Sequence, residues 1–295
     1  MIKVLVTGAY GQLGSCLKDI FNREKEIDAV YQDIDSLDLI DKDKVADAIE
    51  KIRPDYVINC AAYTAVDKAE EDKELAFKVN SDAVENLAIG IKGTHSKIIH
   101  ISTDFVFEGN QNTPYDPDSA PNPVNTYGLS KLKGEQILQD LMPDQSMTLR
   151  TAWLYSEYGN NFVKTMLRLM REKPELSVVN DQTGSPTYAR GLARLIWVII
   201  QRELFKPGIY HWTDQGNISW YDFACGIQEE AGKLGLFHKK IPIKPILTTQ
   251  YPTPARRPAY SVLECAETES LTGMKTTPWK ENLRTMLGRL STMGA

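Results

Sequence analysis

The chain has 295 residues, of which 42% are hydrophobic and 25% are charged. These proportions are those of a globular protein with one or two domains, and they are too balanced for a disordered chain. The formal net charge of -5 disfavours a nucleic-acid-binding protein, because phosphate contacts require a basic surface.

The first half of the chain alternates short apolar runs with amphipathic segments. The apolar runs predict strands over residues 2–6, 29–32, 56–59 and 97–102. The amphipathic segments predict helices over residues 12–22, 43–52 and 73–91. Continuous apolar strands separated by helices indicate a parallel sheet that is covered on both faces. We therefore predict an α/β fold with a doubly wound, Rossmann-like parallel sheet.

The second half of the chain begins after a proline-rich loop over residues 114–123, which no helix can cross. We predict a helix over 127–141 and a strand over 148–155, followed by further elements at shorter and less regular spacing. These are helices over 162–171, 190–201 and 219–234 and strands over 176–179 and 209–211. We predict a dinucleotide-binding domain over 1–155 and a smaller substrate-binding lobe over 156–295, interleaved with the last sheet elements.

Cysteine, histidine and hydropathy patterns exclude several other classes of protein. The four cysteines are far apart, as are the four histidines (His95, His100, His211 and His238), so we predict neither a disulfide framework nor a metal site. The longest apolar run of the second half, residues 195–200, is too short to cross a membrane. With no signal-peptide pattern in the opening residues, we expect a cytoplasmic protein without a membrane partner.

A glycine-rich segment follows the first predicted strand. Gly8, Gly11 and Gly14 stand three residues apart, between that strand and the next helix. Such a turn brings backbone N–H groups and the positive end of the helix dipole close to a pyrophosphate. The context predicts a dinucleotide site, and the Gly-x-x-Gly-x-x-Gly spacing is typical of the short-chain dehydrogenase/reductase superfamily.

The residue that ends the second predicted strand should lie beside the adenosine ribose. Asp33 occupies this position, and its carboxylate can accept hydrogen bonds from both ribose hydroxyls. A carboxylate also repels a 2′-phosphate, so Asp33 favours NADH, although the cofactor prediction covers NADPH or NADH. Asp38 and Leu39 are expected near the adenine.

A candidate catalytic group combines the end of one strand with the start of a helix. Tyr127 and Lys131 are four residues apart and share a helix face, and Thr103 ends the preceding strand. A tyrosine alone, with a pKa near ~10, is a poor acid at neutral pH. We expect the Lys131 ammonium to lower the pKa of Tyr127, so that the phenol serves as the acid–base group.

Short motifs extend in order over nearly the whole chain. They are GQLG (11–14), RPD (53–55), NCAAYTAVDKAE (59–70), STDFVF (102–107), YGLSKLKG (127–134), RTAWLY (150–155), GNNFVKTMLRL (159–169), VNDQTGSPT (179–187) and YPTPARRP (251–258). In these motifs the chain resembles the dTDP-4-dehydrorhamnose reductases, a family of extended short-chain dehydrogenase/reductases.

The resemblance implies NAD(P)H-dependent reduction of the C4 ketone of dTDP-4-dehydro-β-L-rhamnose to dTDP-β-L-rhamnose, a step of cell-surface polysaccharide synthesis. It implies a catalytic group of Tyr127, Lys131 and Thr103. The cofactor contacts that it implies are Gly8, Gly11, Gln12, Leu13, Asp33, Asp38, Leu39, Ala62, Tyr63, Thr64, Tyr127 and Lys131. The contacts to the dTDP-linked keto sugar that it implies are Thr103, Asp104, Trp153, Asn160, Gln182 and Arg257.

Two departures from the family pattern affect the predicted assembly and cofactor site. Some members bind magnesium between subunits through glutamates, and Cys16 and Arg190 stand at the corresponding positions of this chain. We therefore predict no magnesium-bridged dimer, and expect a monomer or a homodimer. Tyr63 stands where the family often has histidine.

Two alternatives share parts of this pattern. A dehydratase or epimerase of the superfamily also has the tyrosine–lysine pair, but a dehydratase needs a second carboxylate after Asp104, where this chain has Phe105. Epimerisation stays open. The second alternative is a non-catalytic module similar to the regulatory subunit of methionine adenosyltransferase, which acts by binding a partner enzyme.

Overall fold

The computed structural model describes residues 1–237 and 240–293, so that His238 lies outside the described residues. Its strands are β1 (Ile2–Thr7), β2 (Ile27–Gln32), β3 (Tyr56–Asn59), β4 (Lys97–Thr103), β5 (Ser146–Thr151), β6 (Leu154–Tyr155), β7 (Leu176–Val179), β8 (Thr183–Gly184), β9 (Thr187–Tyr188), β10 (Gly208–His211), β11 (Ile218–Ser219) and β12 (Ile243–Ile246). Its helices are α1 (Gln12–Phe21), α2 (Lys42–Ile52), α3 (Lys73–Phe77), α4 (Ala83–Ile91), α5 (Thr126–Leu141), α6 (Phe162–Glu172), α7 (Ala189–Gln201), α8 (Trp220–Lys233), α9 (Ala266–Thr272) and α10 (Trp279–Thr292). Within the described ranges, no helix is both long and apolar enough to cross a membrane.

Six parallel strands form the central sheet, in the order β2-β1-β3-β4-β5-β10. The chain runs outward from β1 to β2 on one side and then continues from β3 on the other. This reversal of direction opens a crevice at the carboxyl ends of β1 and β3, where open α/β sheets bind their ligands. The predicted doubly wound parallel fold is confirmed.

Both faces of the sheet are buried, which explains why its strands read as continuous apolar runs. Val4 and Val6 point to the face covered by α1 and α7, and Leu5 points to the face covered by α2, α4 and α5. All three side chains are completely buried. Because successive residues of a strand alternate between the two faces, a strand with helices on both sides needs apolar residues at every position.

The second half of the chain contributes to the sheet and also forms a core of its own. Strand β10 pairs with β5, and α7 packs against α1 on the sheet. A separate cluster joins α6, α8 and α10 through residues such as Val163, Phe223 and Leu287. The interleaving of late elements with the sheet is thus a feature of the fold, while the boundary at residue 155 stays a prediction.

Two predicted elements are interrupted in the structure. The helix predicted over 73–91 contains a π-helical stretch, Lys78–Asp82, between α3 and α4. This stretch directs the buried Asn80 side chain inward, where its amide bonds both backbone groups of Tyr63. The strand predicted over 148–155 ends at Thr151, because Trp153 adopts a left-handed conformation with φ of 46° and turns the chain into β6.

A buried ion pair fastens α5 to the sheet. Arg150, on β5, donates from Nε and Nη2 to the carboxylate of Glu135, with the shortest distance 2.6 Å. The two side chains are 2% and 1% exposed. The two charges compensate each other. Removing either residue would leave an unpaired charge in the interior.

We expect Arg150→Met to lower the free energy of unfolding by about 3–5 kcal/mol, because it leaves the Glu135 carboxylate buried without a partner. Urea denaturation at neutral pH measures this change. Arg168→Met is the matched control, since Arg168 forms an exposed ion pair with Glu172 and its loss should change stability little. Equal effects of the two substitutions would show that Glu135 does not depend on its partner.

Candidate active site

A cavity of about 980 Å³ lies along the carboxyl edge of the sheet, between the strand ends and the second half of the chain. All but one of the site residues predicted from the sequence line it. They are Gly8, Gly11, Gln12, Leu13, Asp33, Asp38, Leu39, Ala62, Tyr63, Thr64, Thr103, Asp104, Tyr127, Lys131, Trp153, Asn160 and Arg257.

Gln182 is the predicted site residue that the structure does not bring to the cavity. Its side chain is buried, and its amide nitrogen donates to the Thr248 hydroxyl at 3.1 Å. This hydrogen bond fastens the loop before β8 to the short 3₁₀ turn at Thr248–Gln250. The geometry gives Gln182 a structural contact, and its role toward substrate remains only a sequence-based prediction.

The glycine-rich loop has the conformation that a pyrophosphate site requires. Gly8 has φ of 62°, and a Cβ there would lie 2.6 Å from the Ala61 nitrogen. A Cβ on Gly14 would lie 2.5 Å from the Gly8 carbonyl oxygen, so only glycine lets α1 approach the loop this closely. Helix α1 begins after Gly11 without a side-chain cap, which leaves its first N–H groups for an anion. These residues fit a dinucleotide.

Gln12 links this loop to the second half of the chain. Its side-chain oxygen accepts hydrogen bonds from Ser156 at 3.1 Å and from the Asn161 amide at 3.0 Å. Its nitrogen donates to the Leu154 carbonyl at 3.3 Å. Asn161 also caps α6, so the glycine-rich loop is joined to the start of this helix in the second half of the chain.

The expected adenosine end is built around Asp33, which follows β2. The Asp33 carboxylate accepts hydrogen bonds from the backbone N–H groups of Tyr10, at 2.8 Å, and Ile34, at 2.9 Å. The first of these bonds couples the glycine-rich loop to the end of β2. Asp38 and Leu39 also line the cavity, and their contact with the adenine stays a prediction.

The start of α5 is held directly against the end of β4. The Asn125 side chain caps the helix by accepting a hydrogen bond from the Gly128 N–H at 2.8 Å. A Cβ on Gly128 would lie 2.1 Å from the Phe105 carbonyl oxygen, so the contact requires glycine. Both residues were missed from the sequence, although an Asn two residues before a Tyr-Gly pair is a recognisable helix-start signal.

The acid–base properties of Tyr127 differ from the sequence-based expectation. Burial raises the pKa of Tyr127 to about 12, although a hydrogen bond with Thr103 acts in the opposite direction. With the Lys131 amine where the structure places it, the expected lowering of this pKa by Lys131 is not seen. The reason is geometric, because Lys131 Nζ donates to the Ile101 carbonyl at 2.7 Å and lies 3.3 Å from His100 Nε2.

Lys131 is 1% exposed, and this burial lowers the pKa of its amine to about 8. The carboxylate of Glu135, one turn further along α5, acts in the opposite direction. The amine is therefore largely protonated at neutral pH and loses its charge as the pH rises through about 8.

Asp104 is a further titratable group in the cavity wall. Burial raises the pKa of Asp104 to about 6, and Thr103 donates to its Oδ1 at 3.0 Å. In the part of the chain that the structure describes, the buried Oδ2 has no hydrogen-bond partner. An unpaired buried oxygen in a cavity wall is suited to accept a hydrogen bond from a ligand hydroxyl.

Aromatic rings and an arginine also line the cavity. Trp153 stacks on Trp220 with ring centroids 3.6 Å apart, and both line the cavity. Trp220 was missed from the sequence, because nothing in its spacing links it to the site. Arg257 contacts both carboxylate oxygens of Asp67, at 3.0 and 2.7 Å, so its guanidinium already has a partner.

The positions that depart from the family pattern have partners within the chain. Arg190 forms an ion pair with Asp19 on α1. It forms a second with Glu157, in which Arg190 Nη2 lies 2.7 Å from Glu157 Oε1. Cys16 is buried nearby, and burial raises the pKa of its thiol to about 12. Tyr63 lines the cavity and donates from its hydroxyl to Asp72 at 3.1 Å.

The crossover sheet, the glycine-rich loop and the grouping of Thr103, Tyr127 and Lys131 together define a short-chain dehydrogenase/reductase. A family model described as the RmlD substrate binding domain matches residues 2–292. The dTDP-4-dehydrorhamnose reductase of Aggregatibacter actinomycetemcomitans is 39% identical over 288 residues, which are 96% of this chain and 98% of that protein. The chain belongs to the dTDP-4-dehydrorhamnose reductase family, and the resemblance noted in its motifs is confirmed.

Solved structures of the same family agree with this assignment. A dTDP-4-dehydrorhamnose reductase from Clostridium acetobutylicum has a TM-score of 0.91 and 39% identity, covering 98% of this chain and 100% of that one. The reductase of Bacillus anthracis, solved in complex with NADP, has a TM-score of 0.91 and 38% identity over the same shares of the two chains. An NAD(P)H-dependent oxidoreductase is thus supported by both fold and relatives.

Substitution of Asp33 tests the expected ribose contact. We expect Asp33→Ala to weaken NADH binding by roughly tenfold and NADPH binding by less, because the carboxylate pairs with ribose hydroxyls but repels a 2′-phosphate. Fluorescence titration with each cofactor measures both dissociation constants.

Two further variants separate this role from the bond to the Tyr10 N–H. Asp33→Asn keeps an acceptor oxygen, and should shift preference toward NADPH with less disturbance of the loop. Asp28→Ala removes an exposed acid of β2, the strand that Asp33 follows, and should change neither constant. Equal weakening of both cofactors by Asp33→Ala and by Asp33→Asn would contradict the ribose contact.

Proposed function

We propose that this chain reduces the C4 ketone of dTDP-4-dehydro-β-L-rhamnose to dTDP-β-L-rhamnose with NAD(P)H, a step of nucleotide-sugar synthesis for cell-surface polysaccharide. The observation that carries the proposal is the placement of Thr103, Tyr127 and Lys131 in the same cavity as the glycine-rich loop. Family membership supports the substrate, since the named relatives are dTDP-4-dehydrorhamnose reductases.

In this proposal Tyr127 is the proton donor. Ketone reduction needs a donor that still carries its proton at neutral pH, and the raised pKa of Tyr127 ensures this. A nicotinamide dinucleotide held by the glycine-rich loop would supply the hydride for the carbonyl carbon. Thr103 contacts the phenol and fixes the direction in which its hydroxyl points.

Lys131 acts on the charge that develops when Tyr127 releases its proton. An ammonium near the phenolate lowers the free energy of that anion, and burial of both groups strengthens the attraction. In the structure the Lys131 amine bonds to the Ile101 carbonyl, and four methylene groups allow it to reorient toward the phenol.

The residues toward the sugar end recognise the rest of the substrate. Oδ2 of Asp104 accepts a hydrogen bond from a sugar hydroxyl, and the rings of Trp153 and Trp220 provide an apolar wall for a sugar face. Asn160 and Arg257 also line the cavity, and they are our candidates for the N–H donors that a diphosphate requires, Arg257 while paired with Asp67. Phe105 follows Asp104, so the second carboxylate of a dehydratase is absent from this position.

Removing the phenol hydroxyl tests the catalytic role. We expect Tyr127→Phe to keep dinucleotide binding but to lower kcat by about 10²–10⁴-fold, because only the proton donor is lost. Stopped-flow or steady-state kinetics with the dTDP-linked keto sugar, followed by the absorbance of NADH or NADPH, measure kcat.

Tyr158→Phe serves as the matched control, since its hydroxyl bonds to Asp19 away from the cavity. This control should retain turnover. Full activity of Tyr127→Phe would refute the assignment of the donor.

Initial rates with several nucleotide-linked keto sugars test the substrate itself. Consumption of reduced cofactor with the dTDP-4-keto sugar is expected for the reductase. Formation of an epimer without net cofactor consumption would support an epimerase, and binding to a partner enzyme without turnover would support a regulatory module.

A further inference from the structure

A chain of buried polar groups extends from β1 to the Lys131 amine. Thr7 Oγ1 donates to Asn59 Oδ1 at 2.8 Å, and Asn59 Nδ2 lies 3.1 Å from His100 Nδ1. On its other side, His100 Nε2 lies 3.3 Å from Lys131 Nζ. His100 is completely buried and does not itself line the cavity, so any effect that it has on the reaction acts through Lys131.

The directions of these hydrogen bonds are determined by a backbone group. The Ala61 N–H, which can only donate, bonds to Asn59 Oδ1 at 3.2 Å and fixes the orientation of that amide. Asn59 therefore presents its NH₂ group to His100, whose Nδ1 must accept. Burial lowers the pKa of His100 well below its ordinary value, so the ring is neutral and its one proton is on Nε2.

The proton on Nε2 points at the amine of Lys131. An ammonium has only donors and cannot accept this hydrogen bond, whereas a neutral amine has a lone pair that can. The contact therefore favours the neutral form of Lys131 at this position.

The other titratable groups that face Lys131 do not reverse this preference. Glu135, on the same helix, favours the charged amine, but its carboxylate is already paired with Arg150 from β5. Cys60, after β3, stays a neutral thiol because burial raises its pKa far above the ordinary value. Tyr127, one turn before Lys131, is a neutral phenol at neutral pH.

We propose that His100 is a positioning residue that makes Lys131 an exchangeable proton carrier, rather than a permanent cation, by donating Nε2–H to its neutral amine. This inference rests on the function proposed above. After Tyr127 has given its proton to the substrate oxygen, the proton on Lys131 Nζ moves to the phenolate oxygen. The amine that remains accepts the His100 hydrogen bond until solvent water returns a proton to it.

The pH dependence of kcat tests this role. If His100 had only a structural role, its substitution would not shift the pH profile of kcat. In the wild-type protein the rate of ketone reduction should fall as the pH rises through about 8, because Lys131 loses its proton. His100→Met removes the hydrogen-bond donor to Lys131. The alkaline limb of the pH profile, where kcat falls, should then move to a pH higher by roughly one unit. His100→Gln keeps an N–H toward Lys131, since Asn59 holds the glutamine oxygen, and should restore the wild-type position.

His211→Met is the matched control, because His211 is equally buried but bonds to the Tyr115 carbonyl away from the cavity. The His211→Met variant should be less stable, but the alkaline limb of its pH profile should not shift. An unchanged limb in His100→Met, whatever its kcat, would overturn the proposal.

A second measurement needs neither a stable methionine variant nor turnover. ¹⁵N NMR of histidine-labelled wild-type protein reports the tautomer of His100, with His100→Gln identifying the signal. We expect protonated Nε2 and unprotonated Nδ1 from pH 6 to pH 9, whether or not the chain reduces the keto sugar. A protonated Nδ1, or a ring that titrates in this range, would exclude the proposed hydrogen bond.

Discussion

The contact between the first turn of α5 and the end of β4 is the constraint on which the site depends. Because residue 128 is glycine, the helix backbone meets the Phe105 carbonyl without an intervening side chain. This close approach places the phenol of Tyr127 beside Thr103 and directs Lys131 toward the Ile101 carbonyl. Glu135, two turns further on, then reaches Arg150 on β5, so one helix carries both the reactive groups and the ion pair that holds it in place.

Much of the fold and of the cavity wall could be predicted from the sequence, because both depend on local patterns. The buried strands are continuous apolar runs, and Asp33 and Thr103 lie at the cavity because parallel strands end at one edge of the sheet. The inward turn of Asn80 could not be predicted, since it depends on a single π-helical stretch. The stacking of Trp220 on Trp153 likewise depends on a contact between distant segments.

The protonation states were the least predictable part of the site. From spacing alone, Lys131 and Tyr127 share a helix face, and an ammonium is expected to acidify the phenol. In the folded chain, burial dominates for both groups and moves their pKa values in opposite directions, to about 12 for Tyr127 and about 8 for Lys131. Such values depend on what surrounds each side chain, and the neighbours that matter here, His100 and Ile101, come from β4, which is about 30 residues earlier in the chain.

The Gln12 hydrogen bonds have a consequence for how ligands enter. They connect the glycine-rich loop to the second half of the chain at one side of the cavity, and the ion pair of Asp67 with Arg257, which lines the cavity, makes a second such connection. A cleft fastened at two places is preorganised, so little conformational entropy is lost when it is filled. Ligand exchange should then proceed by diffusion through a fixed opening rather than by hinge motion between lobes.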